Sequence, residues 1–588
     1  MKNSQFFIVI LLTSILFSHS SCINDFLDRK PLDVVSDDNI WSNESAILAY
    51  MASMYDYIQT EPHSWLMNWN TLGHFTDESM RSYSWGHPYT PTFSDDYLDE
   101  WDSTYRKIRM INDFLKNIER ATINEDLKQR YTAEAHFIRA FNYFTLVKRY
   151  GGVPILKDAQ EYVGDVELLK VSRDTEEATW NFIAEECDLA IAALPESYAD
   201  AEQYRATKYA AYALKSRAML YAGSISKYGN VQLNGLVGIP ADKANDFFEK
   251  SLNASEAIIR SGKFALYQKE ADKAKNFQYL FLDKTLHEEA IFVKAFSAPD
   301  KGHSFDFAMA APSFKIDYGT NTSPTLELVE EFEYTDGTNG ALKLTDANGQ
   351  SIIYDHPEDI FKDKDPRFFA SVLYPNSPWQ GSVLEIRRGI IGSDGVKVEA
   401  SAFTDKFPED PSLTTSGKDG LVLQGDCSRT GFYIKKFMDP VNRLDQFRSE
   451  TNFMVFRYAE ILLNYAEAAA ELDKTEDALP TYNEVRKRAG IAEKTSVTMD
   501  DIRRERRIEL AFENHRYWDL VRWRIATKAM NNTMFSALIP WMDYKTRKYQ
   551  FEKGDNTLRL PKTFLEKNYY QKIPGISSNE LLIQNPGF

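Results

Sequence analysis

The amino-acid sequence predicts a mainly α-helical fold, a superhelix of stacked helical hairpins interrupted by long irregular loop insertions and a few short strands. Two features of the sequence carry this prediction. Apolar residues recur at three- and four-residue spacing in pairs of adjacent segments, which is the pattern of amphipathic helices. The 588-residue chain is also 43 % apolar and 13 % aromatic, which is ample for a buried core.

The first predicted hairpin spans residues 105–150. Ile108 and Ile111 begin a helical spacing, a break falls at residues 122–124, and the same spacing continues from Tyr131. Comparable patterns return in four further segments, at residues 175–194, 207–228, 241–261 and 458–489.

Several of these segments carry alanine at the positions where neighbouring helices touch. Small side chains at every turn let helix axes approach closely, as in the helix pairs of tetratricopeptide-type solenoids. The alanines are Ala133, Ala135, Ala140, Ala206, Ala210, Ala211, Ala213, Ala218, Ala459, Ala466, Ala468, Ala469 and Ala470. Their positions predict a TPR-like stack.

Two stretches between the helical segments lack a helical period. Residues 61–100, the aromatic loop, are crowded with Trp, Tyr and Phe. Residues 296–450 are rich in Gly, Pro, Asp, Asn and Ser, and their short apolar runs at 386–391 and 420–423 are expected to be strands. Long loops in ordered proteins are usually functional, so a binding surface is expected there. The mature chain is accordingly divided into residues 22–295, 296–450 and 451–588.

The N-terminus has the pattern of an export signal. An apolar run at residues 6–17 follows Lys2 and is shorter than the ~20 residues that a membrane-spanning helix needs. Small residues then precede Cys22, as in bacterial lipoproteins, where the acylated cysteine begins the mature chain. Residues 1–21 are therefore predicted to be a lipoprotein signal peptide and Cys22 the lipidation site. The alternative is a plain secretory signal that leaves Cys22 as a free thiol.

Charge and cysteine content narrow the function classes. The formal charge of −17 is spread along the chain, which disfavours binding of nucleic acid through its phosphates. Cys187 and Cys427 are the cysteines that follow Cys22, and burial as reduced thiols is favoured over a disulfide between them. The sequence indicates no cofactor and no metal site, because neither 346–349 nor 335–337 completes a calcium-binding EF-hand loop.

An ordered series of motifs resembles the SusD/RagB family of Bacteroidetes outer-membrane lipoproteins. The resemblance is strongest towards the C-terminus, in RYAEILLNYAEAAAEL (457–472), NEVRKRAGI (483–491) and IRRERRIELAFENHRYWDLVRW (502–523). Further matching motifs are CINDFLD (22–28), AHFIRAFNYF (135–144), YGGVP (150–154), RATK (205–208), DPR (365–367) and QNPG (584–587). The motifs extend over essentially the whole mature chain.

This resemblance implies a role. Proteins similar to this one are tethered to the cell surface, bind glycan and act as the lid of a SusC-like TonB-dependent transporter that imports oligosaccharides. They are not enzymes. Some relatives handle peptides instead, so a peptide-capturing subunit of the same kind of importer stays open as an alternative.

The aromatic loop fits a sugar ligand. A pyranose needs flat rings for its apolar faces and a few charged or amide groups for its hydroxyls. The expected ligand contacts are Trp85, Tyr83, Tyr89, Asp77, Arg81, Trp65 and Trp69. Asp77 and Glu78 also stand where similar proteins place an acidic pair that leads into the ligand-binding loop. The alternative for each ring is packing into the core.

A second candidate surface lies at residues 296–318, because relatives build part of the ligand site from this stretch. Phe305 and Tyr318 are its candidate contacts, and Trp379 in PNSPWQ is a third option. Core packing is again the alternative for each ring.

A glycoside hydrolase is the less favoured third class. Such enzymes use a pair of carboxylates, but a chain with 86 acidic residues contains close pairs by chance. No metalloprotease, serine-hydrolase or cysteine-protease signature is present in the sequence. Binding without turnover is therefore predicted.

The basic run RRERR (503–507) could be taken for a nucleic-acid patch. Glu505, Glu509 and Glu513 share its helix within a turn of the arginines, which gives paired charges instead of a basic face. Structural ion pairs are therefore predicted for this helix, and likewise for Glu460, Glu467 and Glu471.

Overall fold

The computed structural model describes residues 40–58, 60–61, 71–83, 98–199, 202–557 and 561–588. Its α-helices in these ranges are α1 (Glu44–Asp56), α2 (Trp101–Ile118), α3 (Glu125–Tyr150), α4 (Glu176–Ala193), α5 (Lys208–Tyr228), α6 (Ala244–Arg260), α7 (Lys273–Leu282), α8 (Phe305–Met309), α9 (Leu326–Glu331), α10 (Pro366–Ser371), α11 (Tyr458–Glu471), α12 (Thr475–Ala489), α13 (Met499–Glu509), α14 (Arg516–Arg522) and α15 (Ala526–Met530).

The strands are short and mostly paired in twos. They are β1 (Ser79–Arg81), β2 (Ala290–Lys294), β3 (Thr322–Pro324), β4 (Val372–Leu373), β5 (Pro378–Trp379), β6 (Ser382–Val383), β7 (Gly389–Ile391), β8 (Lys397–Glu399), β9 (Lys406–Phe407), β10 (Asp410–Thr414), β11 (Tyr433–Ile434), β12 (Phe453–Arg457), β13 (Ser536–Asp543) and β14 (Tyr549–Asp555). The largest sheet has the order β14-β13-β7-β8, with β13 parallel to β7 and the other pairs antiparallel.

The helices stack in one continuous series. α2 packs on α3, α3 on α4, α4 on α5 and α5 on α6. α6 then packs on α11, which pairs with α12, so the stack resumes after the long excursion between α6 and α11. The mainly helical, TPR-like fold predicted from the spacing of apolar residues is confirmed, including all five predicted segments.

The alanines at the predicted helix contacts are all buried. One glycine has the same use in α5, because a Cβ atom on Gly223 would lie 2.7 Å from the ring of Phe248 in α6. Threonine side chains cap two of these helices at their N-termini. Thr175 accepts a hydrogen bond from the backbone N–H of Ala178 at the start of α4, and Thr207 accepts one from that of Ala210 at the start of α5. Local sequence thus sets where the helices begin and how closely they pack.

The loop-rich middle of the chain contains one of the two expected strands. β7 covers the end of the apolar run 386–391, whereas residues 420–423 form no strand. The reason lies in their carbonyl groups: the carbonyl of Leu421 accepts from Arg388, and that of Val422 accepts from Arg429. Arginine side chains occupy the positions that a partner strand would need.

A buried network of arginines and carboxylates joins the helical stack to this loop-rich part. Arg367, just inside α10, binds Asp365 at 2.9 Å, Glu505 at 2.5 Å and Glu509 at 2.8 Å. Arg457, at the end of β12, binds the same Glu509 at 2.7 Å. The arginines of the network are at most 2 % exposed, and they are Arg367, Arg457, Arg486, Arg488, Arg506 and Arg522.

Glu505 and Arg506 of the basic run at 503–507 belong to this network, and Arg504 and Arg507 pair with Glu331. The predicted role of the run in ion pairs is therefore confirmed. The partners differ from the expected ones, however. Glu505 and Glu509 bind arginines from other elements instead of neighbours on α13. Glu460, Glu467 and Glu471 are also ion-paired, with Arg217, Arg522 and Lys227 respectively.

The cysteines and the helix lengths bear on the state of the protein. Cys187 and Cys427 are both buried and unpaired, and burial raises the pKa of each thiol. This agrees with the expected reduced state. Among the helices that the structure describes, none combines the length and the apolar character needed to cross a bilayer.

Removing Arg367 tests how much the fold depends on the buried network. In Arg367→Met three carboxylates lose a buried partner, so we expect the free energy of unfolding to fall by about 3–5 kcal/mol. The matched control is Arg260→Met, which breaks an exposed pair with Glu256 and should cost less than about 1 kcal/mol. Chemical denaturation of both variants measures their free energies of unfolding. An equal loss of unfolding free energy in the two variants would contradict a dominant role for the network.

Candidate ligand-binding site

The β1–β3 ribbon holds the middle of the aromatic loop. Met80 pairs with Ser323 and Arg81 with Thr322 in antiparallel register. The backbone N–H of Ser82 then donates to the carbonyl of Asn321 at 3.1 Å. Two chain segments far apart in sequence are therefore held side by side directly before Tyr83.

Two of the predicted contacts meet at the end of this ribbon. The half-buried Tyr83 donates its hydroxyl to the carbonyl of Gly319. Its neighbour Tyr318 accepts a hydrogen bond from Nε2 of Gln446 at 2.8 Å, and its ring lies edge-on to Phe307 with 4.8 Å between centroids. Tyr83 and Tyr318 thus share one surface, which we call the tyrosine surface.

The backbone beneath the tyrosine surface is strained. Thr320 has a φ of 56°, an uncommon conformation for a β-branched residue. Its N–H and its hydroxyl both donate to the carbonyl of Ala310, at 2.9 Å and 3.0 Å. Phe447, beside Gln446, has a φ of 58°. Such strain clusters at functional sites.

Loop residues from 422 to 447 complete the tyrosine surface. Arg429 is buried and donates to the carbonyls of Ser82, Val422 and Gly425, which ties this loop to the end of β1. Lys315 and Asp426 form a second link at 3.1 Å. Three large apolar side chains of the 422–447 segment are exposed: Leu423 at 54 %, Val441 at 74 % and Phe447 at 42 %.

Asp77, a predicted ligand contact, is instead held inside the protein. Its carboxylate binds Arg516 at 2.7 Å and Arg507 at 3.3 Å. Burial alone would raise the pKa of Asp77, but these two guanidinium groups outweigh burial and hold the pKa well below its usual range. The structure therefore gives Asp77 a structural role.

Three other candidate residues are also buried. Arg81 is 3 % exposed beneath Tyr83, and Phe305 is 2 % exposed with its ring packed on Phe437. Trp379 is 4 % exposed within a core cluster. For Phe305 and Trp379 the structure thus shows the alternative of core packing. Arg81, expected as a charged ligand contact, is buried against the ring of Tyr83 instead. Trp101, the first residue of α2, is also buried and packs on Tyr150.

The remaining candidates lie outside the described residues. These are Trp65, Trp69, Trp85, Tyr89 and the lipidation site Cys22. Their roles stay predictions. Gln446 and Arg429 were missed by sequence reasoning, because no period or motif marks residues 423–447 as neighbours of Tyr83.

The fold and this surface define a class of protein, a helical-hairpin scaffold that presents a loop-built ligand surface. Residues 288–588 match the family model described as "SusD family", and residues 25–220 match one described as "Starch-binding associating with outer membrane". The first match covers about half of the chain, and the protein belongs to the SusD/RagB family.

Individual relatives align with nearly the whole length of this chain. A SusD-like protein of Bacteroides ovatus is 24 % identical and is aligned over 97 % of this chain and 92 % of its own. A crystal structure of a SusD-like protein from Bacteroides fragilis superposes with a TM-score of 0.71 at 26 % identity, covering 95 % of this chain and all of that one.

A further solved structure is described as a laminarin-binding SusD-like protein. It has a TM-score of 0.60 and 19 % identity, and the match covers 93 % of this chain and all of that one. This structural similarity supports the assignment of the fold.

Glu78, the partner of Asp77 in the acidic pair, generates a pH-dependent prediction. It is 2 % exposed and accepts from the backbone N–H of Phe512 at 3.0 Å. Burial raises its pKa to about 7, and the neighbouring charge of Asp77 adds to the effect, although Arg516 and Arg507 oppose it. Because the folded state holds this proton more tightly than the unfolded state, stability should fall as pH rises from about 4.5 to 7.

Glu78→Gln removes that titration and keeps an oxygen for the N–H of Phe512. We expect the variant to match the parent at pH 5 and to exceed it by up to about 3 kcal/mol at pH 8. Denaturant unfolding at both pH values measures this, with the exposed Glu493→Gln as control. A constant difference between Glu78→Gln and the parent at the two pH values would contradict it.

Proposed function

We propose that this protein is a cell-surface lipoprotein that binds oligosaccharide and passes it to a SusC-like TonB-dependent outer-membrane transporter. The observation that carries the proposal is the tyrosine surface of a SusD-family fold, which includes Tyr83 of the aromatic loop. A relative of the same fold is described as laminarin-binding and another as carbohydrate-binding, which supports a glycan ligand.

The chemistry of the tyrosine surface suits a sugar. Tyr318 offers a ring face together with a hydroxyl and the amide of Gln446, and Phe447 adds an exposed ring. Rings stack on the C–H faces of a pyranose, while hydroxyl and amide groups bond its rim. Trp85 and Tyr89, which follow Tyr83 in the chain, are the proposed further platforms.

Binding without chemical turnover is part of the proposal. Asp426, one of the carboxylates linked to this surface, is paired with Lys315 at 3.1 Å. Asp77 and Glu78 are buried and take part in structural bonds. A carboxylate so engaged is poorly placed to transfer a proton to a glycosidic oxygen.

The lipid anchor sets where the protein works. Seventeen residues lie between Cys22 and Ile40, the first described residue, and an extended chain of that length reaches about 60 Å. A diacylated cysteine gives stable membrane attachment. The family model described as associating with the outer membrane covers this N-terminal part and supports an outer-membrane location.

Aromatic replacement tests the proposed ligand surface. We expect Trp85→Ala and Tyr318→Ala each to weaken binding of the oligosaccharide that scores on a glycan array by about tenfold or more, because each loses a stacking ring. Tyr279→Ala, at a partly exposed ring on α7, is the matched control. Calorimetric titration gives the affinities.

Three outcomes would contradict this proposal. A blank glycan array with peptides co-purifying would favour the peptide-capturing alternative. New reducing ends on incubation with the ligand would indicate a hydrolase. Full affinity in both Trp85→Ala and Tyr318→Ala would place the ligand elsewhere.

Replacement of the acylated residue tests the anchor. In the native host, Cys22→Ser should lose incorporation of labelled fatty acid and move from the outer-membrane fraction to the soluble fraction, because one export signal without acyl chains gives no stable attachment. Ser21→Ala is the control and should stay acylated. Retention of label in Cys22→Ser would refute acylation at this residue.

A further inference from the structure

A cavity of about 490 Å³ lies between α1 and β2. Neither Tyr83 nor Tyr318 lines it, so it is separate from the tyrosine surface. Its volume falls within the range of about 300–1,000 Å³ that is usual for small-molecule pockets. Most of its wall is apolar and comes from α1, β2 and the residue that follows each of their ends: Leu48, Met51, Ile58, Phe292, Val293 and Phe296.

The apolar wall of this cavity is held in place by packing. Met51 and Phe292 are buried. The ring of Phe292 lies edge-on to that of Phe137 in α3, with 5.3 Å between centroids. Phe296 packs in the same way on His303 at 4.8 Å. A cavity whose walls are already fixed loses little conformational entropy when a ligand enters it.

One charged group in the wall lacks a carboxylate partner. Lys294 of β2 is half-buried, and among the described residues no carboxylate lies within ion-pair distance of its amine. Its hydrogen bond to the carbonyl of Ile58 is long, at 3.3 Å. Burial lowers the pKa of Lys294, and Lys301 and Lys107 add to this effect, although Asp56 opposes it. A carboxylate at the amine would supply the missing partner and favour the charged form.

The other charged groups of the wall already have partners. Lys301 binds Asp56 at 2.6 Å at the exposed rim. Arg205 binds Glu134 at 2.7 Å and Glu202 at 2.6 Å. Within the described part of the chain, the cavity therefore offers one uncompensated positive charge beside a mostly apolar wall.

We propose that this cavity binds a small amphipathic monocarboxylate, with its carboxylate on the amine of Lys294 and its apolar body against Met51 and Phe292. A single negative charge matches the single uncompensated amine. A dianion such as phosphate would bring excess negative charge close to Asp56 and Glu202, and a neutral apolar molecule would leave the amine unpaired. Alkyl and aryl acids share the required chemistry. The inference does not rest on the proposed function, because the cavity is separate from the tyrosine surface.

The test uses the full mature chain in its Cys22→Ser form, so that no acyl chain of the protein itself can enter the cavity. The probes are decanoate and hydrocinnamate, each compared with its neutral alcohol, decanol or hydrocinnamyl alcohol. Lys294→Met removes the charge and keeps a side chain of similar length. Ala52→Trp adds a large ring to the cavity from α1, where Ala52 is an exposed part of the wall. Calorimetric titration measures each affinity.

Two matched controls make the same changes away from the cavity. Lys418→Met removes an exposed lysine that pairs with Glu385 in the loop-rich part. Ala192→Trp places the same ring at an exposed position of α4. Both controls should bind the acids as the parent does. Thermal unfolding establishes that each variant folds, and Lys294→Met decides the matter alone if Ala52→Trp does not fold.

We expect at least one acid to bind the parent saturably and about tenfold or more tightly than its alcohol, because only the acid pairs with the amine. Lys294→Met should lower the affinity for the acid to that for the alcohol, and Ala52→Trp should abolish the binding of both. Tighter binding of decanoate would assign an alkyl acid as the ligand, and tighter binding of hydrocinnamate would assign an aryl acid.

Several results would overturn the inference. Absence of saturable binding of both acids at millimolar concentration would refute the site. Equal affinity for acid and alcohol, or unchanged acid affinity in Lys294→Met, would show that the amine does not recognise the ligand. Full acid affinity in a folded Ala52→Trp variant would place the ligand outside the cavity. None of these results concerns oligosaccharide binding at the tyrosine surface, so the proposed function is tested separately.

Discussion

The structure depends above all on the buried ion pairs around α13. Glu509 alone receives guanidinium groups from Arg367, Arg457 and Arg488, which come from α10, β12 and α12. Each charge is expensive to bury, and only the complete set of partners offsets that cost. The helical stack and the loop-rich part therefore cannot separate without leaving several unpaired charges in the interior.

The same network fixes the position of the ligand surface. Arg507 and Arg516 extend the cluster to Asp77, and Lys562 donates to the carbonyls of Thr76 and Ser79. The segment that leads into β1 is thus held from several sides before Tyr83 emerges. A loop-borne binding site gains affinity when its root is rigid, because less freedom remains to be lost on binding.

The sequence could predict what depends on local order and not what depends on tertiary contacts. Hairpins and alanine contacts follow from spacing within a few residues, so all five helical segments were found. The pairing of Arg367 with Glu509 spans 142 residues, and no period encodes it. Phe305 and Tyr318 belong to one short stretch, yet one is buried and the other lines the surface. Their difference is set by Phe437 and Gln446, which arrive from a distant loop.

The ligand surface and the buried network that supports it share no residue. Tyr83, Tyr318 and Gln446 belong to loops attached to the β1–β3 ribbon, whereas Arg367, Arg457 and Glu509 lie inside the protein. Substitutions that do not touch each other act almost independently, so ligand affinity and the free energy of unfolding can be changed separately. Exposed rings can therefore vary with the ligand while the interior keeps the loops in place.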